Sequence, residues 1–121
     1  MANYEKIAWT AGNPIDGIAH LKTPAEIARL KSSPQWASGD RVAESLAKNG
    51  DLSVTLIALK RGAILKEHRA RGTVVVAVFA GAIRLNGATY GAGEIAVIER
   101  ETPHTVEALE ESALVLTAAL K

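Results

Sequence analysis

The chain contains no cysteine, and this single absence removes three kinds of chemistry. Disulfide bridges, thiolate nucleophiles and cysteine-based zinc sites are all excluded. Aromatic residues make up only 4% of the 121 residues, so Val, Leu, Ile and Ala must fill the core. Because hydrophobic residues still reach 48%, the composition indicates an ordinary globular chain and not a disordered one.

An excess of charge of one sign is also missing. The chain has 14 Lys and Arg residues and 13 Asp and Glu residues, which gives a formal net charge of +1. The two kinds of charge alternate along the chain. No basic block suited to nucleic acid or to an anionic membrane is present, so neither partner is expected. No apolar run approaches the ~20 residues of a membrane span. Because residues 1–9 lack the apolar centre of a signal peptide, we expect a cytoplasmic location.

The length suits a single domain, in which residues 1–40 form an N-terminal arm and residues 41–121 the main body. A short helix is expected in the arm. Thr23 is its predicted cap, Pro24 suits its first position, and Glu26 closes a capping box. Trp36 follows as an apolar anchor, and we expect the arm to pack on the main body or on a partner subunit.

From residue 41 onward the pattern is that of short strands separated by glycine turns. Asn49-Gly50 predicts a type I′ hairpin turn that joins residues 42–48 to residues 52–60, because both residue types tolerate a positive φ. Residues 42–48 also fit one face of a helix, although the turn chemistry favours the strand. Further strands are predicted at residues 73–80, 82–85, 94–98, 105–108 and 113–120. The run 74–79 is apolar throughout, which suits a strand covered on both faces. A sandwich or barrel is therefore expected, and the lack of a crossover helix excludes a parallel α/β fold.

Residues 62–108 resemble the two motifs of the cupin superfamily. In the first motif, Gly62 and His68 have the family's spacing and Gly81 stands at the closing glycine. In the second motif, Gly93 and His104 match. The family's proline, glycine and asparagine positions hold other residues here, namely Glu99, Glu101 and Ala108. The resemblance implies an all-β, double-stranded antiparallel β-barrel of the jelly-roll or RmlC-like type, with an N-terminal arm that contains a short helix.

The resemblance also bears on metal binding, because metal-binding cupins take two His and one Glu from the first motif and a third His from the second. Here Ala70 stands at the second His position, and Val74 or Val75 stands at the Glu position, depending on the spacing used. Neither alanine nor valine has a lone pair, so His68 and His104 are the only metal ligands that remain of the four. Stable sites normally take three or four protein ligands. The resemblance therefore implies at most a weakly held divalent metal, Fe, Mn, Ni or Zn.

The resemblance places His68 and His104 in the mouth of the barrel, and we expect them to be the ligand-binding residues. The predicted function is binding of an unidentified small molecule in an apolar pocket, with the two histidines as polar contacts. The residues expected to line this pocket are those such as Val74, Val76 and Val78, or their alternates along the strand. The alternative is a metal-dependent enzyme of the oxygenase or isomerase type, which would use both histidines and a third group. A structural module without chemistry is a second alternative.

Two further expectations concern the arm. The third histidine, His20, lies outside the motifs and is expected at the surface, since a lone histidine carries no ligand spacing. Small cupins resemble one another in pairing through sheet edges and N-terminal arms. This arm offers apolar side chains for burial, namely Trp9, Ile27, Leu30 and Trp36. We therefore expect a homodimer.

Overall fold

The computed structural model of the chain describes residues 8–9 and 15–119, without the side chains of residues 8, 9, 67 and 68. Within these ranges the helices are α1 (Thr23–Leu30) and α2 (Pro34–Ser38). The strands are β1 (Ala8–Trp9), β2 (Arg41–Lys48), β3 (Leu52–Leu59), β4 (Ile64–His68), β5 (Val74–Ala80), β6 (Ala82–Leu85), β7 (Ala88–Gly91), β8 (Ile95–Ile98), β9 (His104–Ala108) and β10 (Ser112–Ala119). Neither helix of this described part is long and apolar enough to cross a membrane.

The strands form two antiparallel sheets. Six of them hydrogen-bond in the order β1-β2-β3-β10-β5-β8, and the other four in the order β4-β9-β6-β7. β10 pairs with β3 on one side and with β5 on the other, so it joins strands that are far apart in the sequence, as in a jelly roll. The predicted all-β architecture is confirmed, and it includes β1, β4 and β7, which are absent from the predicted set of strands.

The main core lies between the two sheets. Strand periodicity places every second residue of β5 and of β9 on the inner face, so Val76 and Val106 belong to one buried cluster. Leu59, Ile83 and Leu114 come from three other strands and fill the same cluster. The inner face of β9 therefore points into the core along its whole length, and His104 is the first residue on that face.

Residues 42–48 form a strand that pairs with β3, so the helical alternative is wrong. The turn between the two strands differs from the predicted type I′, because neither Asn49 nor Gly50 has a positive φ. Instead, Asn49 Oδ1 accepts two backbone N–H groups from the residues that follow, at 2.8 and 2.9 Å, and so forms an Asx-type turn. The type I′ hairpin lies between β6 and β7, where Asn86 and Gly87 have φ values of 47° and 87°.

The two helices cover the outer face of the six-stranded sheet over β2 and β3. Leu30 is buried there in a second apolar cluster with Val42 and Leu56, and Ile27 and Trp36 pack against this cluster. Trp36 is thus an anchor within its own chain. The helices leave the outer face of β5 and β8 uncovered.

The predicted capping box of α1 is wrong. Lys22 is the N-cap, no side chain caps the helix, and Thr23 is already helical. Glu26 forms an ion pair with Arg29 at 2.9 Å, a local contact that competes with the capping role. A side-chain cap is found on α2 instead, where Ser33 Oγ accepts the backbone N–H of the third residue of that helix at 3.3 Å.

Candidate functional site

His104 is a buried residue on the inner face of β9. Val106 and Ala108, two and four residues later, are buried on the same face. The side chain is only 6% exposed, and its Nδ1 lies 3.0 Å from the carbonyl oxygen of Thr102. Since a carbonyl only accepts hydrogen bonds, Nδ1 carries the proton in this contact. The strand and the preceding turn therefore hold this imidazole in one orientation.

His68 is the last residue of β4, the strand beside β9, and its Cα is the register partner of the Cα of His104. Residues directly opposite one another on antiparallel strands carry their Cβ atoms roughly 4.5–5.5 Å apart. A bulge between Leu65 and His68 sets this register, because three steps along β4 there correspond to two steps along β9. The backbone thus brings the two histidine positions together. The side chain of His68, like that of Glu67, lies outside the described residues.

Asn86 holds the backbone on both sides of His104. Its Nδ2 donates to the carbonyl oxygen of Pro103 at 3.0 Å, and its Oδ1 accepts the N–H of Thr105, also at 3.0 Å. The main-chain N–H of Asn86 donates to the carbonyl of Thr105 at 3.3 Å. The left-handed conformation of Asn86 in the β6–β7 hairpin aims its amide at this segment, so the hairpin turn also positions the histidine.

The loop before β9 contains a residue in a strained conformation. Glu101 has a φ of 61°, which non-glycine residues adopt rarely. It stands where the cupin motif has glycine, so the fold retains the conformation of the motif without the residue that favours it. The N–H of Glu101 donates to the carbonyl of Ala70 at 2.9 Å. This bond ties the loop that precedes His104 to the loop that follows His68.

The sequence alone indicates the strain at Glu101, but it does not indicate that Asn86 positions the histidine. Glu101 falls at a motif glycine, and a glutamate at such a position indicates backbone strain. Asn86 carries no comparable signal, because its side-chain partners lie 17 and 19 residues further along the chain. Only the pairing of β6 with β9 brings them within reach.

The described side chains near His104 do not form a donor set that fits a resident metal. Val74 is buried in the apolar core and Ala70 packs against the same cluster, so the family's carboxylate and second imidazole are replaced by apolar side chains on the inner face. Among the side chains that the structure describes, no three His, Asp or Glu residues are close enough to hold a metal ion. Two imidazoles fall short of the three or four protein ligands that stable sites take.

The expected wall of the pocket needs correction. The three valines on the inner face of β5 are core side chains packed between the sheets, namely Val74, Val76 and Val78. They share one cluster with the larger side chains of β6, in the other sheet, and of the neighbouring strand β10. The half-buried residues packed against this cluster are both small and large, namely Leu65, Ala70, Tyr90, Ala96, Leu116 and Ala118. His20 is exposed in the segment before α1 and joins no ligating cluster among the described side chains.

No protein-family model matches the chain, and no curated protein sequence matches it. Solved structures do. A cupin-2 domain protein from Shewanella frigidimarina gives a TM-score of 0.64 at 16% identity, over 82% of this chain and 93% of that one. An RmlC-like cupin with a double-stranded β-helix fold from Methanocaldococcus jannaschii gives 0.62 at 17% identity, over 66% and 80%. An acetylacetone dioxygenase from Acinetobacter johnsonii gives 0.62 at 14% identity, over 65% and 59%. At these identities the likeness concerns the fold alone.

Proposed function

The chain has the RmlC-like cupin fold, and from this premise we propose that it binds a small molecule between its two sheets, with His104 and His68 as polar contacts. The observation that carries the proposal is the buried imidazole of His104, held by the Thr102 carbonyl in a single orientation. Burying a polar side chain is unfavourable unless its hydrogen bonds are made. A buried histidine at the edge of the core therefore favours a functional role for this residue.

The chemistry of the surrounding side chains defines the class of ligand. An imidazole ring exchanges hydrogen bonds with polar groups through its ring nitrogens. Half-buried apolar side chains pack against the core, and three of them are alanines, which offer small apolar surfaces. The proposed ligand is therefore a small molecule with an apolar body and a polar group that hydrogen-bonds the imidazole, in agreement with the usual make-up of ligand pockets.

A metal-dependent enzyme is the second candidate. Metal-ligating histidines commonly donate their other ring N–H to a backbone carbonyl, and His104 donates to Thr102 in this way. The acetylacetone dioxygenase among the similar structures has the same fold, so the fold is compatible with such chemistry. The missing carboxylate and imidazole favour the binding protein over the enzyme.

Thermal melting of three proteins tests the proposal: the wild type, His104→Gln and the exposed control His20→Gln. The probes are phenol, cyclohexanol and acetylacetone, and separately zinc or nickel chloride. A ligand present at 100 times its dissociation constant stabilises the folded state by about 2.7 kcal/mol. We expect an organic probe to raise the melting temperature of wild type and His20→Gln, and to raise that of His104→Gln less.

Equal shifts in all three proteins would contradict the assignment of His104 to the site. A shift with metal alone that His104→Gln abolishes would favour the enzyme instead. In that case, oxygen consumption by the iron-loaded protein with acetylacetone separates an oxygenase from a metal-binding module.

A further inference from the structure

The chain contains two Asn-Gly pairs, and both lie in turns between consecutive strands. Asn49-Gly50 lies between β2 and β3, and Asn86-Gly87 lies between β6 and β7. An asparagine that precedes glycine is able to react with its own backbone, because glycine has no Cβ that keeps its nitrogen away from the side-chain amide. The fold arranges the two amides differently, and this difference bears on their reactivity.

The amide of Asn86 is bound at both of its ends to a distant segment. Its Nδ2 donates to the carbonyl of Pro103 and its Oδ1 accepts the N–H of Thr105, 17 and 19 residues further along the chain. These two bonds oppose the rotation that would bring the amide carbon to the nitrogen of Gly87. The fold therefore protects this asparagine from attack by its own backbone.

The amide of Asn49 folds back over its own turn instead. Its Oδ1 accepts the N–H groups of Asp51 and Leu52 at 2.8 and 2.9 Å. The bond to Asp51 closes a ring of atoms that runs through the main chain of Gly50, as in other Asx turns. The amide carbon of Asn49 and the nitrogen of Gly50 thus belong to one small ring. Holding two reacting groups together in this way lowers the entropic barrier to their reaction.

The same two N–H groups also stabilise the charge that develops in the reaction. When the nitrogen of Gly50 adds to the amide carbon of Asn49, Oδ1 becomes negatively charged. Backbone N–H groups aimed at such an oxygen form an oxyanion hole, and the distances of 2.8 and 2.9 Å to Oδ1 suit that role. The Asx turn therefore provides both proximity and charge stabilisation.

We infer that Asn49 is a site of self-modification, at which the fold promotes conversion of the asparagine to aspartate and isoaspartate. The nitrogen of Gly50 forms a bond to Cγ, the bond from Cγ to Nδ2 breaks, and ammonia leaves with the proton that Gly50 gives up through the solvent. The resulting succinimide ring is then opened by water. Attack at Cγ gives aspartate, and attack at the main-chain carbonyl carbon of residue 49 gives isoaspartate. No oxidant or reductant takes part.

The two products affect the turn between β2 and β3 differently. The aspartate product retains the acceptor for both N–H groups, and its negative charge strengthens these bonds. The isoaspartate product carries the main chain through the side-chain carbon, which adds one atom to the backbone and disturbs the pairing of the two strands. Either product lowers the formal net charge from +1 to 0, because one carboxylate replaces a neutral amide.

Peptide mapping by mass spectrometry tests the inference on the full chain, incubated in mildly alkaline heavy-oxygen water, because both products take up an oxygen atom from the solvent. Asn86 is the control within the same molecule. In the folded protein we expect Asn49 to convert at least about tenfold faster than Asn86, and at least as fast as it does in urea. In urea the two rates should become similar. Equal rates in the folded protein, a slower reaction of Asn49 in the folded protein than in urea, or an unchanged ratio in urea would each overturn the inference.

Two variants test the role of the N–H donors. Asp51→Pro removes one of the two donors to Oδ1, whereas Asp51→Ala keeps the donor and removes only the carboxylate. We expect Asp51→Pro to slow the conversion of Asn49 in the folded protein at least about tenfold relative to Asp51→Ala. Equal rates in the two folded variants would contradict the oxyanion hole. The comparison of folded and urea-unfolded wild type keeps the inference testable if Asp51→Pro fails to fold.

Discussion

Replacing Glu101 by glycine should stabilise the protein, although it removes a side chain. Glu101 holds a φ of 61° in the loop before β9, a region that costs a non-glycine residue roughly 1–2 kcal/mol. Glycine adopts this conformation without strain, and it keeps the backbone N–H that donates to the carbonyl of Ala70. The exposed carboxylate makes no hydrogen bond that the change would remove among those found in the described residues.

The magnitude follows from two opposing terms. Relief of strain raises the free energy of unfolding by roughly 1–2 kcal/mol. The greater flexibility of glycine in the unfolded chain lowers it by about 0.5–1 kcal/mol. The net gain is about 0.5–1 kcal/mol. For the 121 residues of the chain, an unfolding entropy of about 2.1 cal/mol/K per residue converts this gain into a melting temperature about 2–4 °C higher.

Glu99→Gly is the matched control, because Glu99 is an exposed glutamate in the same loop whose φ is not positive. It undergoes the same change of charge and gains the same flexibility without any relief of strain, so its melting temperature should fall by about 2–4 °C. Glu101→Ala keeps the strain and removes the charge, and it should change little. Differential scanning calorimetry resolves these differences. If Glu101→Gly melts below wild type together with Glu99→Gly, the strain argument is refuted.

Three further predictions concern a glycine turn, the buried histidine and the missing metal ligands. Gly81→Ala should lower the free energy of unfolding, measured in urea, by about 2–3 kcal/mol more than Gly87→Ala does. A Cβ at Gly81 would lie 2.2 Å from a backbone carbonyl oxygen, whereas nothing lies within 4 Å of a Cβ at Gly87. Equal losses of unfolding free energy in the two variants would contradict this. His104→Ala should lower the unfolding free energy by about 1–3 kcal/mol, since it leaves the part-buried carbonyl of Thr102 without this donor. A neutral result in the same assay would show that the bond carries no stability. The double change Ala70→His and Val74→Glu should destabilise the metal-free protein through a buried carboxylate and should restore about 2.7 kcal/mol with zinc at 100 times its dissociation constant. If calorimetry shows no larger gain with zinc than for wild type, these two positions do not face His104.

Much of the fold was accessible from local patterns. The bounds of β6 were predicted to the residue, and those of β5 within one, because glycine turns and apolar alternation act over a few neighbouring positions. The place of His104 on an inner face follows from the same alternation, since it stands two residues before the core residue Val106. The lack of ligands at Ala70 and Val74 can also be read directly, because no fold gives a lone pair to alanine or valine.

The sequence by itself therefore determined most of the strands, which donors exist and which residues near the motifs are apolar. The tertiary structure decided what these residues face. The register of His68 opposite His104 depends on a bulge in β4, and the turn at Asn49 took an Asx form because its side chain found backbone donors. Phe79 is half exposed because α1 covers other strands of the sheet. Each of these outcomes depends on contacts between segments distant in the chain or on competition among partners in space, and a local pattern specifies neither.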